Sequence, residues 1–457
     1  MGDLQVKPCK RIKTLLLGLL LVAFANAQPS TDAILQYSAN QAGVVMVRME
    51  ILAEVNVQKI NINQRPFSKL LDSIKRLEAD SVFLTAAEKL DIVLNEFQKR
   101  PQYYFISEFS YFRHREKVSA RGTGFIISGK GYVLTNCHVV DEGDAFISRR
   151  FILSAFNYVT ETNINAIEQE WEVKFTETQR SQLYKTFANV YSRIVPIQLE
   201  KIEKKVYVVA SGDSVGRKTA FEYPAVIIKK GRSMPGKDIA VLKIESPFEF
   251  PTVSLSKGRD VAVGEEIFVY GYPNPVANNE FLSNETVLEP TLTRGIISAK
   301  KKSINGWPVL QMDADINRGN SGGPLCNKYG DVIGISTFGT LDDNARALAP
   351  GLNFAIPLEV INEFVNDSMQ VGRSKVSQDY AEAMKFFQKG YYRKALSYFQ
   401  IVKSKNPNYP DVQYHMEESR INIIHGNDKE PNDLMIYFLM ILVGGLIIGL
   451  LYFKLRK

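Results

Sequence analysis

Cysteine and histidine are scarce in this sequence. Its 457 residues include three cysteines and four histidines. Cys9 falls within an N-terminal leader, so only Cys137 and Cys326 remain. Two thiols exclude the dense disulfide framework of small secreted domains, and no group of His, Cys and Asp stands at metal-ligand spacing. We therefore expect no metal or other cofactor, and either two buried free thiols or one disulfide.

Excess positive charge is also missing from the body of the chain. The net charge is +7, of which residues 1–27 contribute +3 and residues 454–457 another +3, so +1 remains for the rest. This balance excludes an extended basic surface of the kind that binds nucleic acid. With 45% hydrophobic and 23% charged residues, the chain is of a globular type with room for two or three domains.

The two ends of the sequence predict an export signal and a membrane anchor. Basic residues precede the apolar run Leu15–Phe24 and small residues follow it, which indicates a signal peptide over residues 1–27; an uncleaved anchor is the alternative. Leu434–Phe453 is an uncharged apolar stretch long enough to span a bilayer. The basic tail 454–457 then faces the cytoplasm, and the body lies outside it, in the periplasm if the cell is Gram-negative.

A serine bracketed by glycines is the first candidate for chemistry. Gly319-Asn320-Ser321-Gly322-Gly323 can take positive φ values and direct several N–H groups towards the space beside the hydroxyl. That suits a nucleophile next to an oxyanion hole, although a glycine-rich turn is the simpler alternative.

The other members of a catalytic triad can be sought around this serine. His138 ends a β-rich run, and Asp238 opens an apolar strand-like run, so the first could be the base and the second the carboxylate that orients it. Asp141 and Asp144 are nearer to His138 in sequence, but they fit the polar loop that leaves it. The order of these residues, with Pro324 after the serine, argues against an α/β-hydrolase nucleophile elbow.

These motifs together resemble the trypsin-like serine endopeptidases, and among them the HtrA/Deg family, over roughly residues 40 to 370. The resemblance implies a mainly β fold with two six-stranded antiparallel barrels. The matching segments are Gly122-Thr123-Gly124-Phe125, Thr135-Asn136-Cys137-His138-Val139, Asp238-Ile239-Ala240-Val241-Leu242, Thr293-Arg294-Gly295-Ile296-Ile297-Ser298, Gly319-Asn320-Ser321-Gly322-Gly323-Pro324-Leu325 and Asn353-Phe354-Ala355-Ile356-Pro357.

The resemblance also implies roles for single residues. His138 would take the proton of Ser321, Asp238 would orient His138, and the N–H groups of Gly319 and Ser321, helped by Asn320, would form the oxyanion hole. Asp315, Ser336 and Thr337 would be substrate-binding residues. Asp315 could select Arg or Lys at the base of a specificity pocket, or could point away and meet Arg318, Lys301 or water. Unfolded or damaged extracytoplasmic proteins would be the substrates.

Helical segments interrupt and follow the predicted protease domain, which covers residues 28–370. Helical periodicity predicts insertions over about 64–100 and 150–200, with a capping box at Thr85 and Glu88. Residues 376–426 resemble a tetratricopeptide unit where the family usually has a PDZ module. Such a unit would pack on the protease or bind a protein partner, and a plain helical hairpin is the alternative. The chain could also be a homo-oligomer.

Two functions fit this sequence. The first is a membrane-anchored serine endopeptidase, for which the family resemblance implies a role in protein quality control. The second is a catalytically silent barrel that binds a partner through its tetratricopeptide-like segment. Candidates at all three triad positions favour the enzyme.

Overall fold

The structure, a computed structural model, describes residues 40–430 and 441–445, apart from 80–82, 142, 196, 215–216, 259–260, 275–280, 284–285 and 342–347. The predicted signal peptide and basic tail lie outside the described residues, as does Leu434–Phe453 except for residues 441–445. Within the described part, no helix is both long enough and apolar enough to cross a membrane.

Two closed barrels, each of six antiparallel strands, form the body of the protein, as the sequence predicted. The first barrel has the spatial order β1-β2-β3-β6-β5-β4, and its strands are β1 Val44–Ile62, β2 Phe105–Ser128, β3 Tyr132–Thr135, β4 Gln198–Ser214, β5 Arg217–Lys230 and β6 Ala240–Lys243. The second has the order β10-β11-β12-β9-β8-β7, with β7 Glu266–Gly271, β8 Thr291–Lys302, β9 Pro308–Met312, β10 Pro324–Asn327, β11 Val332–Leu341 and β12 Leu348–Pro357.

Strands β1 and β2 are much longer than the barrel requires. Alternate residues of β1 from Val47 to Val57 are buried, because successive side chains of a strand point to opposite faces. The pairing with β2 runs from Val44↔Phe125 to Ile62↔Phe105. The outer part of this pairing extends the sheet beyond the barrel and gives the helices a surface to cover.

The longer helices of the protease part overlap the two predicted insertions, 64–100 and 150–200, although the second helical segment already begins at residue 144. Between β1 and β2 lie α1 Gln64–Ala79, α2 Ala86–Lys99 and α3 Pro101–Tyr104; after β3 come the short α4 Cys137–Val140, then α5 Asp144–Glu170 and α6 Glu177–Arg193. Capping boxes begin α2 at Thr85 and α6 at Thr176. Phe97 of the first insertion and Phe187 of the second both pack edge-on against Phe105, so the two insertions share one core with the barrel.

The C-terminal helices pack on the first barrel. After α7 Leu358–Ile361, the chain forms α8 Lys375–Gln388, α9 Tyr392–Lys405 and α10 Val412–Ile424 around a buried core that includes Tyr380 and Phe399. The Glu249 carboxylate accepts hydrogen bonds from the N–H groups of Lys375 and Val376, both at 3.0 Å, at the start of α8. The relation of these helices to tetratricopeptide repeats stays a prediction.

Candidate active site

The predicted acid and base meet at one end of a strand pair in the first barrel. Strand β3 pairs with β6 so that Thr135 lies opposite Ala240, and His138 and Asp238 lie just beyond this pair. The Nδ1 atom of His138 is 2.6 Å from Oδ2 of Asp238, and the backbone N–H of His138 donates to Oδ1 at 2.9 Å. Donation from Nδ1 leaves Nε2 as the proton acceptor of the neutral ring.

The Asp238 carboxylate is completely buried, whereas the His138 side chain is 39% exposed. Besides the two bonds from His138, the carboxylate accepts a hydrogen bond of 2.9 Å from the hydroxyl of Thr337. The side chain of Asn136 donates to the backbone carbonyl of Asp238 at 2.7 Å. Three donors fix the direction of this buried carboxylate, which is what an orienting acid requires.

The alternative acid Asp141 has other partners. Its carboxylate accepts a hydrogen bond of 3.0 Å from Lys204 of β4 and a second from Lys230 of β5. Burial alone would raise the pKa of Asp141, but the hydrogen bonds from these two lysines outweigh it and leave the pKa below its usual value. The side chain of Asp144 lies outside the described residues.

Backbone geometry requires the glycines around Ser321. Gly319 and Gly322 have φ values of +103° and +89°, which other residues rarely adopt. A Cβ added to Gly319 would stand 2.3 Å from the carbonyl oxygen of Tyr272, and one added to Gly322 would stand 2.1 Å from that of Thr123. The loop therefore packs closely against both barrels, with no room for a side chain at either glycine.

The Ser321 hydroxyl points towards β11. Its Oγ donates to the backbone carbonyl of Thr337 at 2.8 Å, and among the described residues it has no hydrogen bond to His138. Proton transfer to the imidazole thus requires the hydroxyl to leave this carbonyl. Thr337 touches both halves of the site, through its hydroxyl on Asp238 and its carbonyl on Ser321.

The three predicted oxyanion-hole residues differ in whether their backbone N–H groups are available as hydrogen-bond donors. The N–H of Asn320 donates to the carbonyl of Asn317 at 3.0 Å. In the part of the chain that the structure describes, the N–H groups of Gly319 and Ser321 have no acceptor. The Asn320 side chain is buried, with its Oδ1 2.6 Å from where a Cβ on Gly271 would stand. Two backbone donors on one loop can stabilise an oxyanion.

The predicted substrate-binding residues are in different environments. Asp315 is exposed and forms no ion pair with the described residues. Ser336 is fully buried, and its hydroxyl donates to the carbonyls of Asn320 at 2.8 Å and Gly323 at 3.2 Å. Thr337 is buried between Asp238 and Ser321. Thr123, for which the sequence predicted no separate role, also contacts the serine loop, because its N–H donates to the Ser321 carbonyl at 2.8 Å.

Each barrel holds one buried free thiol beside the site. Cys137 precedes His138, and its Sγ lies 3.4 Å from the carbonyl oxygen of Gly231. Burial, together with the carboxylates of Asp238 and Asp141, raises the pKa of Cys137. Burial raises the pKa of Cys326 as well.

Comparison with known proteins agrees with this geometry. Residues 122–335 match the Trypsin-like peptidase domain family. Protease Do-like 5, chloroplastic, of Arabidopsis thaliana is 38% identical over 134 residues, which are 28% of this chain and 38% of that protein. Serine endoprotease DegS of Haemophilus influenzae is 36% identical over 141 residues, 30% of this chain and 37% of that protein. The chain thus spans less than two fifths of either relative.

A solved structure is similar over a larger part of the chain. The crystal structure of Deg5 covers 53% of this chain and 81% of its own, at 25% identity and a TM-score of 0.31. That score is too low to define a fold, which rests instead on the strand pairing. Residues 122–335 therefore match a trypsin-like peptidase domain, and part of the chain is similar to serine proteases of the Do and Deg type.

Proposed function

We propose that this protein cleaves peptide bonds with His138, Asp238 and Ser321. The observation that carries the proposal is the buried Asp238 carboxylate, held 2.6 Å from Nδ1 of a half-exposed imidazole. A histidine oriented in this way can accept a proton at Nε2 and give it up again. The glycine-rich loop with two N–H groups that lack acceptors among the described residues supports the assignment of the nucleophile.

The reaction follows from these groups. Ser321 Oγ attacks the substrate carbonyl while His138 Nε2 takes its proton, and the N–H groups of Gly319 and Ser321 bind the oxyanion. His138 then protonates the leaving amine, which leaves an acyl group on Ser321. Water, deprotonated by the same imidazole, releases the acid and restores the hydroxyl. Asp238 stabilises the imidazolium formed in each half of the cycle.

Labelling of Ser321 by a fluorophosphonate probe tests the proposal. The parent protein should label and should hydrolyse casein, and Ser321→Ala should do neither while its folding is unchanged, because the substitution deletes the nucleophile without adding bulk. Casein hydrolysis at the parent rate by Ser321→Ala would show that another group is the nucleophile.

One observation favours the second function, a silent barrel that binds a partner. The Ser321 hydroxyl donates to Thr337 and not to His138. A folded protein that never labels, even with unfolded polypeptide present, would support the binding role. Labelling that appears only with such a polypeptide would mean that substrate moves the hydroxyl to His138.

The place of action and the substrates belong to the same proposal. The sequence supports an anchor at Leu434–Phe453 with the protease outside the cytoplasm, and unfolded or damaged polypeptides as substrates. A chain cut before Leu434, with the signal kept, should appear in the soluble extracytoplasmic fraction. Its recovery in carbonate-washed membranes would locate the anchor elsewhere.

We propose Asp315 as the residue that determines which side chain the enzyme prefers before the cleaved bond. An exposed carboxylate without an ion pair among the described residues could receive a cationic side chain of the substrate. Cleavage sites in casein should then follow Arg or Lys, and Asp315→Ala should remove that preference. A preference for Val, Ala or Ile that Asp315→Ala leaves unchanged would exclude the pocket role.

A further inference from the structure

Four consecutive carbonyl groups of the serine loop are each held by a hydrogen bond. They belong to residues 318–321, which include both residues with N–H groups that lack acceptors. The donors are the N–H of Asn274 to Arg318 at 2.7 Å, the hydroxyl of Thr123 to Gly319 at 2.7 Å, the hydroxyl of Ser336 to Asn320 at 2.8 Å, and the N–H of Thr123 to Ser321 at 2.8 Å.

Fixing these carbonyls also fixes the N–H groups. A peptide unit is planar and trans, so its N–H points opposite to its C=O. The N–H of Gly319 shares a peptide unit with the Arg318 carbonyl, and the N–H of Ser321 shares one with the Asn320 carbonyl. The unit that contains the Gly319 carbonyl lies between these two. Because Gly319 has the freedom of glycine, a rotation of that middle unit would change the angle between the two donors.

The middle unit is held at both ends: its N–H, that of Asn320, donates to the Asn317 carbonyl at 3.0 Å, and its carbonyl oxygen is held by one side chain, that of Thr123. Its hydroxyl donates to Gly319 and accepts from the N–H of Tyr272 at 2.9 Å, so both of its hydrogen-bonding roles are used. Thr123 is completely buried. It belongs to β2 of the first barrel, whereas Gly319 and Tyr272 belong to the second, so one hydroxyl joins the two barrels at the oxyanion site.

We propose that Thr123 is a positioning residue for the oxyanion hole. Its hydroxyl holds the Gly319 carbonyl and thereby keeps the N–H groups of Gly319 and Ser321 aimed at one point. The inference rests on the proposed proteolytic function and adds a residue that does not touch the substrate. Packing alone does not require the hydroxyl, since valine has nearly the same shape. The N–H of Thr123, which holds Ser321, remains in a Thr123→Val protein.

Three variants separate the hydroxyl from the rest of the side chain. Thr123→Val removes it, and Thr123→Ser keeps it without the methyl group. Thr160→Val is the matched control, because Thr160 is also completely buried and its Oγ1 has no hydrogen-bond partner among the described residues. Each protein is assayed for casein hydrolysis and for its labelling rate with diisopropyl fluorophosphate, whose phosphoryl oxygen enters the oxyanion hole, and folding is checked by circular dichroism.

A positioning role predicts a kcat effect without a KM effect. For Thr123→Val we expect kcat to fall about tenfold or more, with KM within about a factor of two, since a missing oxyanion donor costs roughly 10² to 10³ and a misdirected one part of that. Labelling should slow by a similar factor. Thr123→Ser should restore both rates to within about threefold, and Thr160→Val should match the parent.

Two results would overturn the inference. One is a folded Thr123→Val with the parent kcat and labelling rate, and the other is a rise in KM alone, which would indicate substrate binding. If Thr123→Val does not fold, Thr123→Cys replaces it, because a thiol is a weak donor; a parent-like kcat there overturns the inference equally. A parent protein that neither labels nor cleaves would instead overturn the proposed function, and this inference with it.

Discussion

In the first barrel, the proposed acid and base are held side chain to side chain, whereas in the second barrel the proposed nucleophile is held through its backbone. His138 and Asp238 share two hydrogen bonds, one from the ring and one from the main chain. The Ser321 loop is fixed by its carbonyls and its glycines, but the hydroxyl itself rests on Thr337. The acid–base half is thus assembled before substrate arrives, and the nucleophile half still has one side-chain rotation to make.

The largest effect should come from breaking the acid–base half. Asp238→Asn keeps the shape of the side chain but favours the wrong tautomer of His138, so casein turnover should fall by about 10⁴. Asp141→Asn is the matched control, and its turnover should stay near that of the parent because Asp141 contacts Lys204 and Lys230. The reverse pattern, with the loss in Asp141→Asn, would make Asp141 the third triad member.

The loop that carries Ser321 should be destabilised by substitution of one of its glycines. In Gly322→Ala, the new Cβ would stand 2.1 Å from the Thr123 carbonyl oxygen and 2.4 Å from Thr135 Oγ1, at a φ of +89°. We expect the free energy of unfolding to drop by about 2–4 kcal/mol, from steric overlap and backbone strain together. Urea denaturation measures this drop.

Gly306→Ala separates the two causes of that loss. Gly306 has nearly the same φ, +82°, but no atom within 4 Å of an added Cβ. Its substitution should therefore cost only the strain, about 1–2 kcal/mol. Equal losses in Gly306→Ala and Gly322→Ala would mean that the serine loop gives way more easily than its contacts suggest.

A smaller effect on turnover should follow from a substitution at Thr337, which contacts both Asp238 and Ser321. Thr337→Val removes one of three hydrogen bonds to Asp238 and keeps the carbonyl that holds Ser321. We expect kcat to fall about tenfold, since a hydrogen bond to a charged group contributes roughly 1.5–3 kcal/mol and two others remain. Thr337→Ser should recover the loss. A change confined to KM would assign Thr337 to substrate binding alone.

The smallest effect concerns the two thiols, one in each half. Burial raises the pKa of both, so the thiolate that reacts with iodoacetamide is scarce in the folded protein at pH 8. Labelling should be at least about tenfold slower than in urea, and it should accelerate as the pH rises. Cys326, which is the more deeply buried of the two, should react last. Rapid labelling of Cys326 in the folded protein would show that the second barrel opens readily.

The sequence predicted the parts of this protein that depend on local pattern. The capping box at Thr85 and Glu88 was predicted and begins α2, whereas the box at Thr176 that begins α6 was not predicted. The triad candidates were found because strand ends and glycine-rich loops leave clear signals in the sequence. The double barrel was predicted from the family resemblance that these motifs carry, and the strand pairing confirms it.

Contacts between segments that are distant in the sequence could not be predicted from local sequence patterns. The direction of the Ser321 hydroxyl depends on a carbonyl of β11, and the role of Thr123 depends on the approach of the two barrels. Ser336 was predicted to bind substrate, yet its hydroxyl lies on the serine loop, because only the register of β11 decides which residue faces inward. The length of β1 depends on such contacts too, because helices from both insertions cover its outer part.

The docking of the C-terminal helices on the first barrel limits how far the enzyme can travel. With Leu434–Phe453 in the bilayer as proposed, only residues 425–433 separate the last turn of α10 from the lipid. Two of these residues are held to the helices, because the Asp428 carboxylate accepts from the N–H of Tyr392 and the N–H of Lys429 donates to the Gly390 carbonyl, both at 2.8 Å. With these contacts kept, residues 430–433 could span about 13 Å when extended. Because Glu249 accepts hydrogen bonds from the start of α8, helices α8 to α10 stay attached to the protease part and do not lengthen this connection. The enzyme would then cleave only those polypeptides that come close to the membrane surface.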